Sequence, residues 1–145
     1  MAKVSVRRMK KSDAEAVRKI DAAITLKPSD FDFERLIGEE VKGKDDASFV
    51  AFIDGKLVGY MVSYITSGNF GTDRCAWIAR FGVEPKYMGQ SIGKSMAKSV
   101  FRFYKAKKIK TVYTSVKWDS TDLLSFFKTL GFDRSDFINL RKGLE

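Results

Sequence analysis

The chain lacks histidine and has a single cysteine, Cys75, and both shortages narrow the chemistry open to it. A Ser/His/Asp triad, a Cys/His dyad and any zinc site that uses histidine are excluded. A lone cysteine forms no intramolecular disulfide. No stretch approaches the roughly 20 apolar residues that span a bilayer, and the basic start does not resemble a signal peptide. We therefore expect a cytoplasmic protein with no metal site and no membrane segment.

The 145 residues, 44% hydrophobic and 31% charged, predict one domain over residues 1–145. The net charge of +9 is unevenly distributed along this domain. The segment from Lys86 to Lys117 has nine basic residues and no acidic one, whereas the rest of the chain is balanced. A charge excess confined to one segment indicates that an anionic partner binds there.

Hydrophobic periodicity predicts strands and helices in alternation. The clearest signal is a hairpin, because two β-rich runs flank Asp54-Gly55, a dipeptide that favours positive φ. Ser12 and Glu15 have the spacing of a capping box at the start of the first helix. The predicted strands cover residues 3–9, 48–53, 56–66, 75–83, 110–116 and 137–140, and the predicted helices cover 12–25, 30–43, 92–107 and 120–130.

The most informative segment joins the strand at 75–83 to the next helix. A turn that contains glycine and enters a helix directs several backbone N–H groups, and the positive end of the helix dipole, at one spot. Such a spot favours phosphate. Gly89 and Gly93 have no side chain that would keep a phosphate from the backbone. Lys86, Lys94 and Lys98 are near in sequence and would add positive charge. Alone, this pattern fits ordinary turn chemistry equally well.

Two motifs and the order of the elements resemble a known family. Residues 78–96, IARFGVEPKYMGQSIGKSM, resemble the acyl-CoA motif of the GCN5-related N-acetyltransferase (GNAT) family, and residues 126–132, FFKTLGF, resemble its later aromatic signature. The resemblance covers essentially the whole chain. It implies an α/β (α+β) fold with a mixed, mostly antiparallel central sheet, flanked by about four helices and splayed open at the acyl-CoA site.

The same resemblance implies an N-acyltransferase, above all an N-acetyltransferase, in which a primary amine attacks acyl-CoA directly. Acetyl-CoA would be the co-substrate, and the acceptor a small-molecule or peptide amine; a homodimer is left open. The pantetheine arm would pair with the strand backbone, and the pyrophosphate would bind main-chain N–H groups of the turn. The cofactor-binding residues that carry over are Phe81, Gly82, Val83, Met88, Gly89, Gln90, Ser91, Ile92, Gly93, Lys94, Ser120 and Phe127.

Four positions depart from the family's pattern. Met88 stands where a glutamine or arginine is usual, and Ser91 replaces the first motif glycine. Ser120 stands where an asparagine commonly bonds the pantetheine arm. Phe127 occupies the place of a tyrosine that protonates the departing thiolate, and phenylalanine has no proton to give. No general base is visible, so the catalytic residues are unknown.

Two other functions stay open at this point. A CoA-binding fold that has lost catalysis would act as a sensor or interaction protein, in keeping with Phe127 and the missing base. A basic nucleic-acid-binding module would track phosphates with its lysines and stack Tyr104 and Tyr113 on bases. No DNA- or RNA-binding motif supports the latter.

Overall fold

The structure is a computed structural model that describes residues 3–25, 47–67 and 74–145. The chain divides into two compact units, Met1–Ser115 and Val116–Glu145. The helix predicted at residues 30–43 lies outside the described residues. In the described ranges, no helix is long and apolar enough to cross a bilayer.

The first unit is built on one mixed, mostly antiparallel sheet, which confirms the predicted fold class. In the described ranges this sheet has five strands, ordered β1-β2-β3-β4-β5, of which β4 and β5 run parallel and the other neighbours antiparallel. The strands are β1 Val4–Arg8, β2 Phe49–Ile53, β3 Lys56–Thr66, β4 Cys75–Val83 and β5 Val112–Thr114. The helices among the described residues of this unit are α1 Ala14–Thr25 and α2 Ile92–Ala106, with short 3-10 helices at Lys11–Asp13 and Pro85–Tyr87.

The hairpin is confirmed, and its turn has the geometry that its sequence favours. Asp54 and Gly55 both have positive φ, 50° and 78°. Two successive residues of this kind form a tight turn whose twist matches that of the flanking strands. The turn therefore fixes the register of β2 against β3.

The start of α1 differs from the prediction. Asp13, not Glu15, makes the reciprocal bonds: its carboxylate accepts from the Lys10 N–H at 2.7 Å, and its own N–H donates to the Lys10 carbonyl at 2.9 Å. Asp13 also accepts two bonds from the Arg7 guanidinium. Burial alone would raise the pKa of Asp13, but the bonds from Arg7 and Lys10 outweigh it and hold that pKa below its ordinary value.

The two helices of this unit cover opposite faces of the sheet. Tyr60 and Val62 of β3 share a buried cluster with Val17 and Ile20 of α1. On the other face, a Cβ at Gly59 would lie 3.0 Å from atoms of both Ile92 and Met96. Alternate residues of a strand point to opposite faces, so neighbours 59 and 60 face different helices. Gly59 thus permits α2 to approach the sheet closely.

The second unit contains the helix α3, Thr121–Thr129, which brings the described helices to three. Gly131, with φ +93°, follows its end as predicted. Phe127 is buried between Phe126 and Phe132, with ring centroids about 5 Å apart in edge-to-face contacts.

Two strand predictions need correction. The strand predicted at 137–140 is wrong: these residues form no strand, and each is exposed, so the segment has no buried face. The strand predicted at 110–116 is real but shorter, since only Val112–Thr114 pair with β4. β-branched composition predicts where a strand can form, whereas pairing decides how far it extends.

Candidate functional site

The sheet opens along the second half of β4. Its first half pairs with β5 at Ala76, Trp77 and Ile78, and in the described part of the chain the pairing with β5 ends there. Pairing with β3, by contrast, continues to Val83. Residues 79–83 of β4 therefore extend past the end of β5 in the described ranges, a geometry in which an extended chain bearing amides can add to the strand by β-augmentation.

A β-bulge marks the point where the opening begins. Val62 of β3 pairs with Arg80 and Ser63 pairs with Ile78, so Ala79 is an extra residue on β4. Bulges interrupt the ladder and redirect the groups beside them. Here the bulge changes the course of β4 where its pairing with β5 stops.

The strand then leads through a tight turn into α2. After the 3-10 helix Pro85–Tyr87, Gly89 has φ +85° and Ser91 has φ +63° with ψ +20°. Ser91 therefore has left-handed backbone at the position where the family pattern has glycine, at a cost of roughly 1 kcal/mol for a residue with a Cβ. Ser91 thus adopts a backbone conformation that glycine would adopt without this cost.

The N-terminal turn of α2 offers donors to a ligand. Ser91 caps the helix without a side-chain hydrogen bond, while its carbonyl accepts from the Ser95 N–H at 3.0 Å. The first N–H groups of any helix lack intrahelical acceptors, and they carry the positive end of its dipole. A Cβ built at Gly89 would meet no atom within 4 Å, so the space beside the turn is open. This arrangement can bind an anion of phosphate size.

The charges around the turn also favour an anion. Lys86 and Lys94 are exposed beside it. Glu84, the acid closest to it in sequence, forms an ion pair with Lys56 at 3.3 Å, and the Lys56 ammonium lies 5.4 Å from the centre of the Tyr87 ring. This pairing offsets the negative charge of Glu84.

A buried polar cluster supports β4 just beyond the bulge. One oxygen of Asp21, on α1, accepts hydrogen bonds from the Tyr60 hydroxyl and from Arg80 Nη2, each at 3.1 Å. Burial, and next the negative charge of Asp21, raise the pKa of Tyr60 to about 12. Tyr60 is therefore a hydrogen-bond donor at neutral pH and not a base.

Tight packing accompanies these hydrogen bonds. A Cβ at Gly82 would lie 2.7 Å from the ends of Ile24 and Tyr60, so only glycine fits between α1 and the tyrosine ring. The Asp21–Tyr60–Arg80 cluster and Gly82 together hold α1, β3 and β4 in one position. They fix the course of the strand at the opening.

The structure gathers most of the predicted site residues and separates two. Phe81 to Lys94 form one continuous path along β4, the turn and the first turn of α2. Ile92 and Gly93 are buried, whereas Met88, Gly89, Gln90, Ser91 and Lys94 are exposed. Ser120 and Phe127 belong to the second unit, so their part in this site stays a prediction.

The predictions missed the Asp21–Tyr60–Arg80 cluster, although the sequence carries a signal for it. Asp21 directly follows Ile20 of the apolar stripe of α1, and Arg80 interrupts an otherwise apolar strand. Two opposite charges in segments expected to be buried indicate an ion pair. Their pairing across the fold shows only in the tertiary structure.

An open mixed sheet whose fourth strand leads through a glycine-containing turn into a helix is the architecture that the family resemblance implied. The sequence matches the model of the Acetyltransferase (GNAT) family over residues 14–132. The chain belongs to this family.

One relative aligns with part of the chain. Over 94 residues the chain is 26% identical to a mycothiol acetyltransferase of Arthrobacter sp. (strain FB24), an alignment that covers 63% of this chain and 29% of that protein. The chain thus matches less than a third of that relative's length.

Solved structures share the fold over almost the whole chain. The aminoglycoside N-acetyltransferase AAC(6')-Iy, in complex with the bisubstrate analogue CoA-S-monomethyl-acetylneamine, has a TM-score of 0.85 at 18% identity and covers 99% of both chains. An aminoglycoside acetyltransferase from an uncultured soil metagenomic sample, in complex with sisomicin, has a TM-score of 0.80 at 20% identity, with 98% of this chain and 97% of that chain covered. At these identities the likeness establishes the fold.

Proposed function

We propose that this protein is an acetyl-CoA-dependent N-acetyltransferase that acts on a primary amine of a small molecule. The observation that carries the proposal is the continuity of the open β4 edge with the anion-binding turn of α2. An extended amide-bearing arm and a pyrophosphate, joined in one molecule, match these two adjacent features. The family membership supports the same assignment, as do the mycothiol acetyltransferase and the aminoglycoside N-acetyltransferase to which this chain is similar.

In this proposal the backbone does most of the binding. The main chain of Phe81, Gly82 and Val83 would pair with the pantetheine arm. The N–H groups from Met88 to Gly93 would hold the pyrophosphate, with Lys94 adding charge. Met88 and Gln90 are exposed and would flank the phosphates, and the Ser91 hydroxyl would offer a further donor.

The chemical step is direct acyl transfer. The neutral amine attacks the thioester carbonyl carbon, the C–N bond forms as the C–S bond breaks, and CoA leaves as the thiolate. The proton that the amine loses passes to water. An N–H of β4 near the bulge would polarise the carbonyl, and positioning of the amine supplies the larger share of the rate enhancement. A thiol with an ordinary pKa of about 8.5 leaves without a proton donor, which fits the lack of a proton on Phe127.

A panel of amines tests the assignment. Thiol release from acetyl-CoA is measured with aminoglycosides, polyamines, amino acids and lysine peptides, and we expect turnover with at least one small amine. Turnover with peptides alone would contradict the small-molecule acceptor. No rise in melting temperature with acetyl-CoA would contradict the whole proposal.

A CoA-binding sensor is the second candidate function. Phe127 is buried among aromatic rings, and Tyr60 is held in its protonated form, so neither residue supplies an acid or base that titrates near neutral pH. The sensor predicts a rise in melting temperature with acetyl-CoA but no thiol release with any amine. The same panel therefore separates it from the enzyme.

A further inference from the structure

A line of positive charge lies on the exposed face of α2, away from the sheet. We call it the basic stripe, and it consists of Lys94, Lys98, Arg102 and Lys105 on the helix, followed by Lys108 and Lys110 after its C-terminal end. All six are exposed. At 100° per residue, the four helical members fall within an arc of about 80° and extend over about 16 Å.

In the described ranges, no acidic side chain forms an ion pair with a residue of the stripe. The ion pairs in these ranges join Arg7 to Asp13, Arg18 to Glu15, Lys56 to Glu84 and Arg80 to Asp21. No acidic residue occurs between Lys86 and Lys117. Six clustered cations create a positive potential that attracts a polyanion.

One molecule of acetyl-CoA does not use this whole surface. The phosphate-binding turn lies at the N-terminal end of α2, beside Lys94. Lys105 is three turns further along the helix, about 16 Å away, and Lys108 and Lys110 follow it. The C-terminal half of the stripe is therefore free for another anion while CoA is bound.

The surroundings of the stripe identify the kind of anion. Met96, Val100 and Tyr104 of α2 are buried against the sheet, and Phe101 and Phe103 at the flanks of the stripe are half-buried. The stripe therefore lacks the fully exposed large apolar side chains with which an amphipathic helix enters a membrane. Tyr104 is 1% exposed and its hydroxyl accepts from the Ala47 N–H at 3.0 Å. Tyr113 stacks on Trp77 at 5.2 Å. The earlier expectation that both tyrosines stack on bases is therefore wrong for Tyr104, and Tyr113 is already stacked.

We propose that the basic stripe binds the phosphate backbone of a nucleic-acid duplex, without sequence preference. Successive stripe residues are spaced by about 4.5 to 6 Å along the helix axis. This spacing places their cations in a line that can follow the successive phosphates of one nucleic-acid strand. Contacts of this kind release counterions, so affinity depends on salt and not on base sequence. DNA and RNA duplexes share this chemistry.

The test compares two variants that lose the same number of positive charges. The stripe variant carries Arg102→Gln, Lys105→Gln, Lys108→Gln and Lys110→Gln, which leaves Lys94 and Lys98 beside the CoA turn. The control variant carries Lys11→Gln, Lys19→Gln, Lys128→Gln and Lys142→Gln, four exposed lysines elsewhere. Fluorescence anisotropy measures binding to a labelled DNA duplex and to an RNA duplex of the same sequence, over a range of salt concentrations.

We expect the wild type to bind at least one duplex. The stripe variant should bind it at least about tenfold more weakly, with a salt slope smaller by about 3 to 4. The control should keep its affinity within about threefold, and a shuffled base sequence should change nothing. Acetyl-CoA should raise the melting temperature of the stripe variant as much as that of the wild type, which shows a folded protein and separates this proposal from the acetyltransferase assignment.

Three results would overturn the proposal. The first is no binding to either duplex at low salt, and the second is an equal loss of affinity in the control variant. The third is binding to phosphatidylserine vesicles without binding to a duplex, which would assign the stripe to a membrane surface. Restoring charge in the stripe variant with arginine should restore affinity, and failure to do so would also count against a phosphate contact.

Discussion

The Asp21–Tyr60–Arg80 cluster yields a sharp prediction about the support of β4. Asp21→Asn keeps the shape of the side chain and one carbonyl oxygen, but removes the negative charge. The bonds from Tyr60 and Arg80, both 3.1 Å, then lose their charge assistance in a site where the Asp21 side chain is only 12% exposed.

The size of the effect follows from the exposure of each partner. A hydrogen bond to a charged group contributes about 1.5 to 3 kcal/mol, against about 0.5 to 1.5 for a neutral one. The Arg80 side chain is 32% exposed, so solvent screens part of its ion pair. We therefore expect Asp21→Asn to lower the free energy of unfolding by about 1 to 2 kcal/mol.

Urea denaturation near neutral pH measures this loss, and Glu15→Gln is the matched control. Glu15 is on the same helix and pairs with Arg18 at 2.8 Å, but its side chain is 65% exposed. Exposed pairs of this spacing contribute about 0.3 to 0.5 kcal/mol.

A second readout is the ultraviolet titration of tyrosine, with Tyr60→Phe to identify the part of the titration curve at high pH that belongs to Tyr60. In Asp21→Asn the pKa of Tyr60 should fall from about 12 yet stay above its ordinary value, since burial remains the larger cause.

An equal effect of Asp21→Asn and Glu15→Gln on stability would refute the reasoning. So would a Tyr60 titration that does not move in Asp21→Asn. Either result would show that Asp21 interacts with Tyr60 and Arg80 too weakly to support β4.

Three further predictions concern the turn, the proposed leaving-group position and the start of α1. Ser91→Gly should raise the free energy of unfolding by about 1 kcal/mol, because it removes the strain of a left-handed backbone at a residue with a Cβ. Calorimetry measures this change. The control is Ser95→Gly inside α2, which should lower the free energy of unfolding by a similar amount. Phe127→Tyr should leave kcat for thiol release unchanged or increase it, and a large fall in the soluble, folded enzyme would show that the apolar ring itself is required. The pKa of Asp13 lies below its ordinary value of 3.8 in the folded protein, so its carboxylate stabilises the fold at pH values above 3.8. This contribution is lost as the pH falls through the folded-state pKa. Asp13→Asn removes the carboxylate, so the variant should lose less stability in acid than the wild type does. Urea midpoints from pH 6 down to about pH 2 measure that slope, and an unchanged slope in the variant would contradict this assignment.

Local sequence was a sufficient guide wherever neighbouring residues define the structure. The Asp54-Gly55 turn, the apolar strand Cys75–Val83 and the helix Ile92–Ala106 formed as predicted, since turn chemistry and hydrophobic period act over a few residues. The capping box was assigned to Ser12 and Glu15, whereas Asp13 makes the reciprocal bonds with the Lys10 backbone at the 3-10 helix before α1. Only the position of Arg7 and the Lys10 backbone selects Asp13.

Predictions that depended on partners distant in sequence were less complete. The segment 137–140 has a strand-like composition, but its residues are exposed and form no strand. The length of β5 was set by its pairing with β4 and not by its β-branched residues. A strand exists only where another strand completes its hydrogen bonds, so composition overestimates both number and length.

By itself the sequence determined the order of elements, the phosphate-type turn, the family motifs and the confinement of the excess charge to Lys86–Lys117. Only the tertiary structure decided where the sheet opens, that Ala79 forms a bulge there, and that Asp21 meets Arg80 across 59 positions of chain. It also decided that Tyr104 turns inward while the lysines of the same helix stay exposed. The physical reason is that periodicity and turn chemistry are local, whereas strand register, burial and ion pairing depend on which distant segments pack together.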